Sequence, residues 1–380
     1  MERAGVTPHL LISHRLWPED DTIAREEASR RGWTLEDLPY PSPSASGRIR
    51  QHARQEMNRH SKELVARMQQ LADTAAFVQL EEIGAMQYTR HVPSDVPAIV
   101  SAYNIDSAVE AATGRETTSG VDRLRRVYRA HRLQATEQRA AKRADLTVTV
   151  SAHDRDYFVH QGSRRAIIVA NGVDDELFTL ASEPPDAPRV LFFGSYVWPA
   201  NSAGLIRYLR EVWPRVVSEL PAAELRVAGP GPLADIRAAA AETRGVTICG
   251  FVPDLLDELA AARLVVAPIW FGGGTRIKVL EALASARPVV GTSVGVEHIG
   301  FEHDRHGLVA DHPEDLAAAT LRVLRDRDAA RRYAQNARAL AEHYRWPAMT
   351  APMEAIYREL AQRLPGAPDQ PRIRVESAQP

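Results

Sequence analysis

From Arg189 onward, the chain alternates short β-branched runs, each closed by Gly or Pro, with longer segments of helical period. This alternation constrains the fold more than any other feature, because it is the pattern of βαβ units in a parallel sheet. The runs are continuously apolar, as expected where helices cover both faces of the sheet. We expect strands at 190–194, 225–229, 246–250, 264–268, 288–292 and 307–310. We expect helices between them at 201–219, 233–243, 254–262, 276–286 and 313–343.

The N-terminal half repeats the alternation less regularly, with strands expected at 9–13, 76–80, 98–103, 146–150 and 166–170. Residues 182–188, which separate the halves, are rich in proline and can continue neither a helix nor a central strand. The sequence therefore predicts an α/β protein of two Rossmann-like domains, 1–182 and 188–346. A helix over 351–364 and a disordered tail over 365–380 are expected to follow.

The bulk composition is that of a soluble globular protein, with 44% apolar residues, 25% charged residues and a formal net charge of -2. Such a balance indicates no nucleic-acid partner. The single cysteine, Cys249, excludes an intramolecular disulfide and a Cys-rich metal site, and it favours a reducing, cytoplasmic location. No apolar run reaches the roughly 18 residues of a membrane span, and no signal-peptide core is present near Met1.

Two amphipathic stretches, 48–72 and 121–144, interrupt the N-terminal half, and the second carries eight Arg or Lys residues against two acids. A solvated helix face explains this composition. The alternative is a weak peripheral contact with an anionic membrane, at the inner face of the cell membrane.

The segment 268–283 is the most informative for function, because a strand, three glycines, Thr275 and a helix follow one another. Glycines let the backbone approach a ligand closely, and we expect Thr275 to cap a helix that begins at Arg276. The free N–H groups of such a helix form an anion site.

At about 100° per residue, Lys278 and Glu281 lie together on the flank of this helix, and Arg276 lies in its first turn. The constellation offers two cations for phosphate and one carboxylate for sugar hydroxyls. The alternative is that Lys278 and Glu281 form a surface pair and the glycines only a turn. The segment is neither a P-loop nor a dinucleotide fingerprint.

Several separate motifs accompany this loop in a fixed order. They are Ser151 with Asp154, residues 171–174 with Phe178, 193–195, 198–201, 227–232, 250–254, 272–281, 288–290 and 295–297. In these motifs the sequence resembles the retaining GT-B glycosyltransferases of family 4, or glycosyltransferase group 1, in the branch with Gly-Gly-Gly-Thr-Arg-x-Lys-x-x-Glu. The resemblance covers nearly all of 146–346 and implies two Rossmann-like domains whose parallel sheets face each other across a cleft.

The resemblance implies a hexosyltransferase-type enzyme that moves a sugar, with retention, from a nucleotide-sugar donor to a hydroxyl acceptor of unknown identity. A UDP- or GDP-linked donor would serve as substrate, with no cofactor and no metal. The implied diphosphate ligands are Gly273, Gly274, Thr275, Arg276 and Lys278. Glu281 would bind the nucleotide ribose. The implied lining of the donor cleft is Gly194, Asn201, Gly229, Gly231, Phe251 and Val252.

Two features remain open within the resemblance. Gly273 stands where the family's Glu-x7-Glu signature has its first glutamate, which leaves the donor-sugar contact unassigned. In the N-terminal domain, Asn104 or Asp106 would line the reaction centre, or alternatively would cap the helix that follows.

The opening of the chain departs from the family, since 8–17 followed by acidic residues looks like the family's second unit rather than its first. We expect either that the native start lies upstream or that the chain has lost the family's first unit. The alternative is that residues 10–14 form the true first strand. Two other functions are therefore kept: a GT-B nucleotide-sugar epimerase, and a degenerate non-catalytic nucleotide-binding partner. The acceptor class, whether polysaccharide, glycolipid or small natural product, is left open.

Overall fold

The structure is a computed structural model that describes residues 7–12, 18–37, 62–117, 119–231 and 233–362. The chain folds into α/β units with exclusively parallel strand pairs in the described residues. The predicted tail at 365–380 and most of the amphipathic stretch at 48–72 lie outside the described residues.

The N-terminal half contains two parallel sheets. Its strands are β1 His9–Ile12, β2 Thr34–Asp37, β3 Val78–Glu81, β4 Ala98–Ala102, β5 Leu146–Thr149 and β6 Ala166–Ile168. Its helices are α1 Pro18–Arg31, α2 Lys62–Ala72, α3 Glu82–Met86, α4 Asp106–Glu116, α5 Gly120–Arg143 and α6 Ala152–His160. Strands β1 and β2 form a separate pair, and β3 to β6 form a four-stranded sheet in sequence order.

All five strands predicted in this half are present with ends shifted by up to two residues, and the strand β2 is an addition. Its sequence, Thr-Leu-Glu-Asp, contains one apolar residue, and a pattern of apolar runs therefore misses it.

The C-terminal half forms a six-stranded sheet in the order β12-β11-β10-β7-β8-β9. Its strands are β7 Arg189–Phe193, β8 Glu224–Ala228, β9 Val246–Gly250, β10 Leu264–Ala267, β11 Val289–Gly291 and β12 Gly307–Val309. Its helices are α7 Pro199–Arg207, α8 Trp213–Glu219, α9 Ala234–Ala241, α10 Leu255–Ala261, α11 Ile277–Ala284, α12 Pro313–Arg325 and α13 Arg327–Ala341, with α14 Trp346–Ala361 after them.

Alternate residues of the central strand β7 enter two different hydrophobic clusters. Val190 and Phe192 belong to one, and Leu191 and Phe193 to the other. Both faces of the sheet are therefore buried, as the continuously apolar strands predict. Consequently, ligands can reach this sheet only at its ends.

Two predicted helices are divided in the structure. A π-helical turn, Tyr208–Val212, interrupts 201–219, where the N–H of Trp213 bonds to the carbonyl of Tyr208. Pro214 lacks the N–H that would continue an α-helical ladder at that point. The helix predicted at 313–343 breaks at Asp326, whose carboxylate accepts a hydrogen bond of 2.9 Å from the N–H of Ala329 and starts a new helix.

The last helix begins at Trp346 rather than 351, because Pro347 occupies its first turn, where no N–H is needed. It packs against the four-stranded sheet of the N-terminal half. Tyr357 stacks on Phe77 with ring centroids 5.2 Å apart, and Met353, Ile356 and Leu360 contact the cluster of Ile99, Leu146 and Val148. No helix among the described residues has the length and apolar character needed to cross a membrane.

Candidate functional site

Three glycines shape the carboxyl ends of strands β7 and β8. Gly194, Gly229 and Gly231 have φ angles of 140°, 140° and 122°, a region that other residues rarely adopt. A Cβ on Gly229 would lie 2.1 Å from the carbonyl oxygen of Gly194. A Cβ on Gly194 would lie 3.0 Å from Nζ of Lys278, so the bare backbone makes room for that lysine.

The loop between β10 and α11 carries the glycines at 272–274, which we call the donor loop together with Thr275. The prediction that Thr275 caps a helix starting at Arg276 is wrong. The helix starts at Ile277, Arg276 occupies the cap position, and its side chain makes no capping bond. Thr275 instead donates from Oγ1 to the carbonyl of Val150 in the N-terminal half, at 3.4 Å.

Lys278 is held in a fixed position at the carboxyl end of β7. Its Nζ donates to Oδ1 of Asn201 at 2.7 Å and lies 4.4 Å from the ring centroid of Phe192. Asn201 is fixed in turn, because its Nδ2 donates to the carbonyl of Ser195 at 2.8 Å. Burial, together with repulsion from Arg276, lowers the pKa of Lys278 to about 7. The ammonium is therefore poorly stabilised in the ligand-free site and would be favoured by an anion.

Arg276 lies beside the glycines and is mostly buried. Its guanidinium donates to the carbonyl of Gly273 at 2.7 Å, to that of Val294 at 3.2 Å and to the carboxylate of Glu297 at 3.2 Å. Burial lowers its pKa despite the attraction of Glu297. Since a guanidinium has five N–H donors, it keeps donors for a further acceptor.

Glu281 follows one turn deeper on the same helix. Burial and the nearby carboxylate of Asp174 raise the pKa of Glu281 to about 7, while Lys278 opposes this effect. Asp174 is oriented by Trp346, whose Nε1 donates to Oδ1 at 3.0 Å. Lys278 and Glu281 are thus not a surface pair, since the lysine bonds to Asn201 and both groups are shielded from solvent.

The donor loop contacts the N-terminal half at the end of β4. A Cβ on Gly274 would lie 2.1 Å from Oδ1 of Asn104 and 3.0 Å from the carbonyl oxygen of Tyr103. One on Gly273 would lie 3.1 Å from Cγ2 of Val109. The structure therefore brings Asn104 next to the glycines that the sequence predicts for the diphosphate.

Asp106 is the first residue of helix α4, and Ile105 holds its cap position. The alternative that Asn104 or Asp106 caps this helix is therefore wrong. Burial and the carboxylates of Glu137 and Glu82 raise the pKa of Asp106 to about 7, against the attraction of Arg129. Its proton equilibrium is thus poised near neutral pH, as is expected of a group that exchanges protons.

Phe251 and Val252 follow strand β9 at the far side of the same sheet end. The ring of Phe251 is 65% exposed, whereas Val252 packs against the hydrophobic cluster beneath it. Gly250 accepts a hydrogen bond of 2.6 Å from the N–H of Gly229, which joins this turn to the glycine turn of β8. An exposed aromatic ring at this place offers a surface for stacking.

One cluster was missed by the sequence interpretation. Gln79, Glu81, Ser101, Tyr103 and Tyr357 form a connected set of hydrogen bonds at the carboxyl ends of β3 and β4. Their positions in the sequence are far apart and show no motif, although Glu81 follows one predicted strand and Tyr103 ends another.

Comparison with known proteins assigns part of the chain to a family. Residues 187–326 match the family model described as "Glycosyl transferases group 1". Residues 187–326 form a glycosyl transferases group 1 domain. This group 1 domain contains the donor loop, Asn201, Lys278 and Glu281.

Curated relatives match parts of the chain. An uncharacterized 44.6 kDa protein in the cps region of Klebsiella pneumoniae is 32% identical over 130 residues, which is 32% of this chain and 34% of that protein. A phosphatidyl-myo-inositol mannosyltransferase of Mycolicibacterium smegmatis is 26% identical over 201 residues, covering 50% of this chain and 51% of that protein. The chain thus matches about a third and about half of the length of these relatives.

Solved structures establish the fold as GT-B over most of the chain. The sucrose-phosphate synthase from Thermosynechococcus elongatus superposes with a TM-score of 0.65 at 15% identity, covering 94% of this chain and 99% of that chain. HepE of Anabaena in complex with UDP and glucose gives a TM-score of 0.63 at 15% identity, covering 87% of each chain. The N-terminal and C-terminal halves of the chain are therefore arranged as in GT-B proteins.

Proposed function

We propose that this protein transfers a sugar from a nucleotide-sugar donor to a hydroxyl acceptor, with retention of configuration and without a bound metal. The observation that carries the proposal is the placement of a half-buried, pre-oriented Lys278 and of Glu281 on one helix behind the donor loop. The family match of residues 187–326 supports sugar transfer as the reaction class.

Lys278 and Arg276 would neutralise the diphosphate of the donor. A diphosphate next to Lys278 would restore the ammonium that burial disfavours, and it would stabilise negative charge on the departing nucleotide. The N–H groups at the start of α11 and the glycines Gly273 and Gly274 would add uncharged donors to the same anion. Thr275, which bridges to the N-terminal half, would hold the loop in place around it.

Glu281 would accept hydrogen bonds from the two ribose hydroxyls. Burial and the neighbouring Asp174 make the ionised form of Glu281 costly, and the hydroxyl donors of a ribose would offset that cost. The exposed ring of Phe251, with Val252 behind it, would stack on the base. The solved HepE complexes contain UDP, which together with this arrangement favours a UDP-linked donor, with GDP as the next choice.

Asn104 and Asp106 would face the reacting sugar from the N-terminal half, since Asn104 touches Gly274. In a retaining transfer of this type, the leaving phosphate takes the proton of the acceptor hydroxyl on the same face of the sugar. The two N-terminal groups would then position the acceptor and exclude water, a role that needs no covalent intermediate.

The experiment is calorimetric titration with UDP, GDP and ADP, with and without EDTA, on the wild type and on Glu281→Gln. We expect one nucleotide to bind regardless of EDTA, and the variant to lose about 1–3 kcal/mol of binding energy through the ribose bonds. The matched control is Glu314→Gln, which removes an exposed carboxylate of the same domain. Absence of binding by all three nucleotides would remove the donor-site assignment, and EDTA-sensitive binding would remove metal independence.

The comparisons do not favour the epimerase or the non-catalytic partner, because the named glycosyltransferase relative and the matched family are transferases. Sugar transfer with release of the nucleotide would distinguish the proposed reaction from epimerisation and from binding without turnover.

We further propose a cytoplasmic location with weak peripheral membrane contact through helix α5. Its first three turns expose Val121 (63%), Leu124 (71%) and Tyr128 (59%) on one side, and the helix carries eight basic residues. Apolar side chains beside cations suit an anionic lipid surface. Co-sedimentation with phosphatidylglycerol vesicles should exceed that with phosphatidylcholine and should fall in Leu124→Ser. Equal recovery with both lipids would contradict the contact.

A further inference from the structure

A cavity of about 570 Å³ lies between the carboxyl ends of strands β3 to β6 and the first turns of helix α14. Its volume lies within the range of small-ligand sites. Four aromatic side chains contribute to its walls: Trp33, Tyr103, Trp346 and Tyr357. Aromatic faces combined with hydrogen-bonding groups are suited to a ligand that is apolar on one face and hydroxylated at its edge.

The polar wall of the cavity is an ordered network. Tyr357 donates to Oε1 of Gln79 at 2.7 Å, and Nε2 of Gln79 donates to Oε1 of Glu81 at 2.5 Å and to Oγ of Ser101 at 3.1 Å. Tyr103 donates to the other carboxylate oxygen, Oε2 of Glu81, at 2.5 Å. The chain of donors and acceptors fixes the orientation of the amide and, through it, the plane of the Glu81 carboxylate.

Glu81 retains acceptor capacity in this network. Each carboxylate oxygen receives one described hydrogen bond, from an amide and from a phenol, whereas an ionised carboxylate accepts about four. Neither partner is a cation, so the negative charge of Glu81 is oriented but not neutralised by them. Burial and this charge together raise the pKa of Tyr103, which keeps the phenol in its donating form.

The backbone beside Glu81 is strained. Glu82 has a φ of 64°, a left-handed conformation that is unfavourable for a residue other than Gly or Asn. It lies at the junction of strand β3 and helix α3, and this turn places Glu81 at the cavity wall. Such conformations concentrate at binding and catalytic sites, where the surrounding structure maintains them.

The cavity adjoins the donor loop. Tyr103 and Val150 line it, and the same two residues meet the loop, since the Tyr103 carbonyl faces Gly274 and the Val150 carbonyl accepts from Thr275. Trp346, a third wall residue, donates to Asp174 beside Glu281. A molecule in the cavity would therefore lie next to a donor sugar bound at the loop.

We propose that this cavity binds the acceptor as an uncharged saccharide, whose hydroxyls donate to the Glu81 carboxylate while a ring face packs on an aromatic wall. The inference rests on the proposed function and adds the substrate class of its acceptor. Glu81 lines the cavity without a cationic partner in its described hydrogen bonds and disfavours a phosphate or carboxylate on the ligand, whereas Glu354 in the same wall is paired with Arg358. Arg31, the cation of the wall, is engaged by Glu27 on its own helix. Glu81 is thus a specificity-determining group that contacts the substrate.

The experiment is saturation-transfer-difference NMR on the full chain with UDP present, using pairs of neutral and phosphorylated sugars. The probes are the methyl α-glycosides of glucose, mannose and galactose, each compared with its 6-phosphate. We expect transfer to at least one neutral glycoside, with its phosphate binding at least about 10-fold more weakly. We expect Glu81→Gln to lower the affinity for the neutral glycoside by about 10-fold to 100-fold, because the variant loses charge-assisted hydrogen bonds to the sugar hydroxyls.

The control is Glu302→Gln, an exposed carboxylate of the other domain that is paired with Arg305, and it should leave glycoside binding unchanged. Tyr103→Phe provides a second variant, since it frees one oxygen of Glu81 and keeps the ring. It should retain glycoside binding within about 10-fold, because the Glu81 carboxylate remains and only the phenol bond that orients it is lost.

The UDP signals in the same samples report on the proposed function separately. Absence of saturation transfer to UDP would refute the proposed donor site. UDP binding without transfer to any neutral glycoside would overturn the inference about the cavity. Phosphorylated sugars that bind as well as neutral ones, or Glu81→Gln equal to wild type, would overturn it as well.

Discussion

Replacing Lys278 by Met should make the ligand-free protein more stable and at the same time impair nucleotide binding. Met has a similar length and removes the charge together with the N–H donors. The structure lowers the pKa of Lys278 from 10.5 to about 7. At about 1.4 kcal/mol for each pKa unit, the charged form is disfavoured in the empty site by roughly 5 kcal/mol.

The Met variant recovers only part of this free energy, because it also loses two favourable contacts of Lys278. The bond from Nζ to Asn201 disappears and leaves Oδ1 of the amide without this donor, which costs about 1–3 kcal/mol. The contact of the ammonium with the Phe192 ring is lost too, at about 1 kcal/mol. A net gain of about 1–3 kcal/mol in the free energy of unfolding remains, seen as a rise of a few degrees in Tm.

The gain should depend on pH with a defined sign. Between about pH 7 and pH 10.5 the unfolded chain binds the proton of Lys278 and the folded chain does not. Wild-type stability therefore rises with pH through this window, and the advantage of the Met variant is largest below about pH 7. Thermal unfolding at several pH values measures this difference, with Lys62→Met at an exposed lysine as the control.

Nucleotide binding should change in the opposite direction. UDP should lose about 10-fold to 100-fold in affinity in Lys278→Met, while the nucleoside uridine should bind both proteins equally. At about pH 8, wild type should take up close to one proton on binding UDP, as the diphosphate restores the ammonium, and the variant should not. A variant that is less stable than wild type and binds UDP normally would refute the reasoning.

Three further predictions follow from the same site. In Lys278→Met, which lacks the opposing titration of the lysine, lowering the pH from about 8 to about 6 should weaken UDP binding, because protonation of Glu281, whose pKa is raised to about 7, removes an acceptor; the double variant with Glu281→Gln should lack this loss. Gly274→Ala should reduce turnover by more than about 10-fold and also weaken UDP binding, since its Cβ would collide with Asn104 and displace the loop proposed to bind the diphosphate; Gly84→Ala, with open space around it, is the control, and equal turnover of the two would contradict this. Turnover of wild type should rise with pH near about 7 if Asp106 must be ionised, and Asp106→Asn should be slower and flat across this range; a parallel pH profile in the variant would exclude that role.

The sheet of the C-terminal half could be predicted from sequence because its strands are buried on both faces and therefore read as uninterrupted apolar runs. Strand β2 could not be predicted in this way, because it lies in a two-stranded sheet and contains one apolar residue, so it has no apolar run. The π-helical turn before Trp213 arises from a missing N–H at one proline, which an amphipathic pattern does not register.

The residues of this site could be selected from sequence because glycines, cations and a carboxylate lie within the ten positions 272–281, shortly after a predicted strand. The contacts of these residues could not be predicted from sequence. That Lys278 bonds to Asn201 and that Thr275 reaches Val150 instead of capping its helix are consequences of tertiary packing. The cavity network around Glu81 joins residues 79 and 357, a separation at which a single sequence carries no pairing information.

The central claim, retaining sugar transfer from a nucleotide donor, is tested most directly by NMR of the full chain with UDP-, GDP- and ADP-glucose and a neutral glycoside acceptor. We predict that one donor is consumed, that its nucleoside diphosphate is released, and that the new glycosidic bond has the anomeric configuration of the donor. A product of inverted configuration would contradict retention. An epimerised donor without nucleotide release, or a bound donor that is never consumed, would contradict sugar transfer itself.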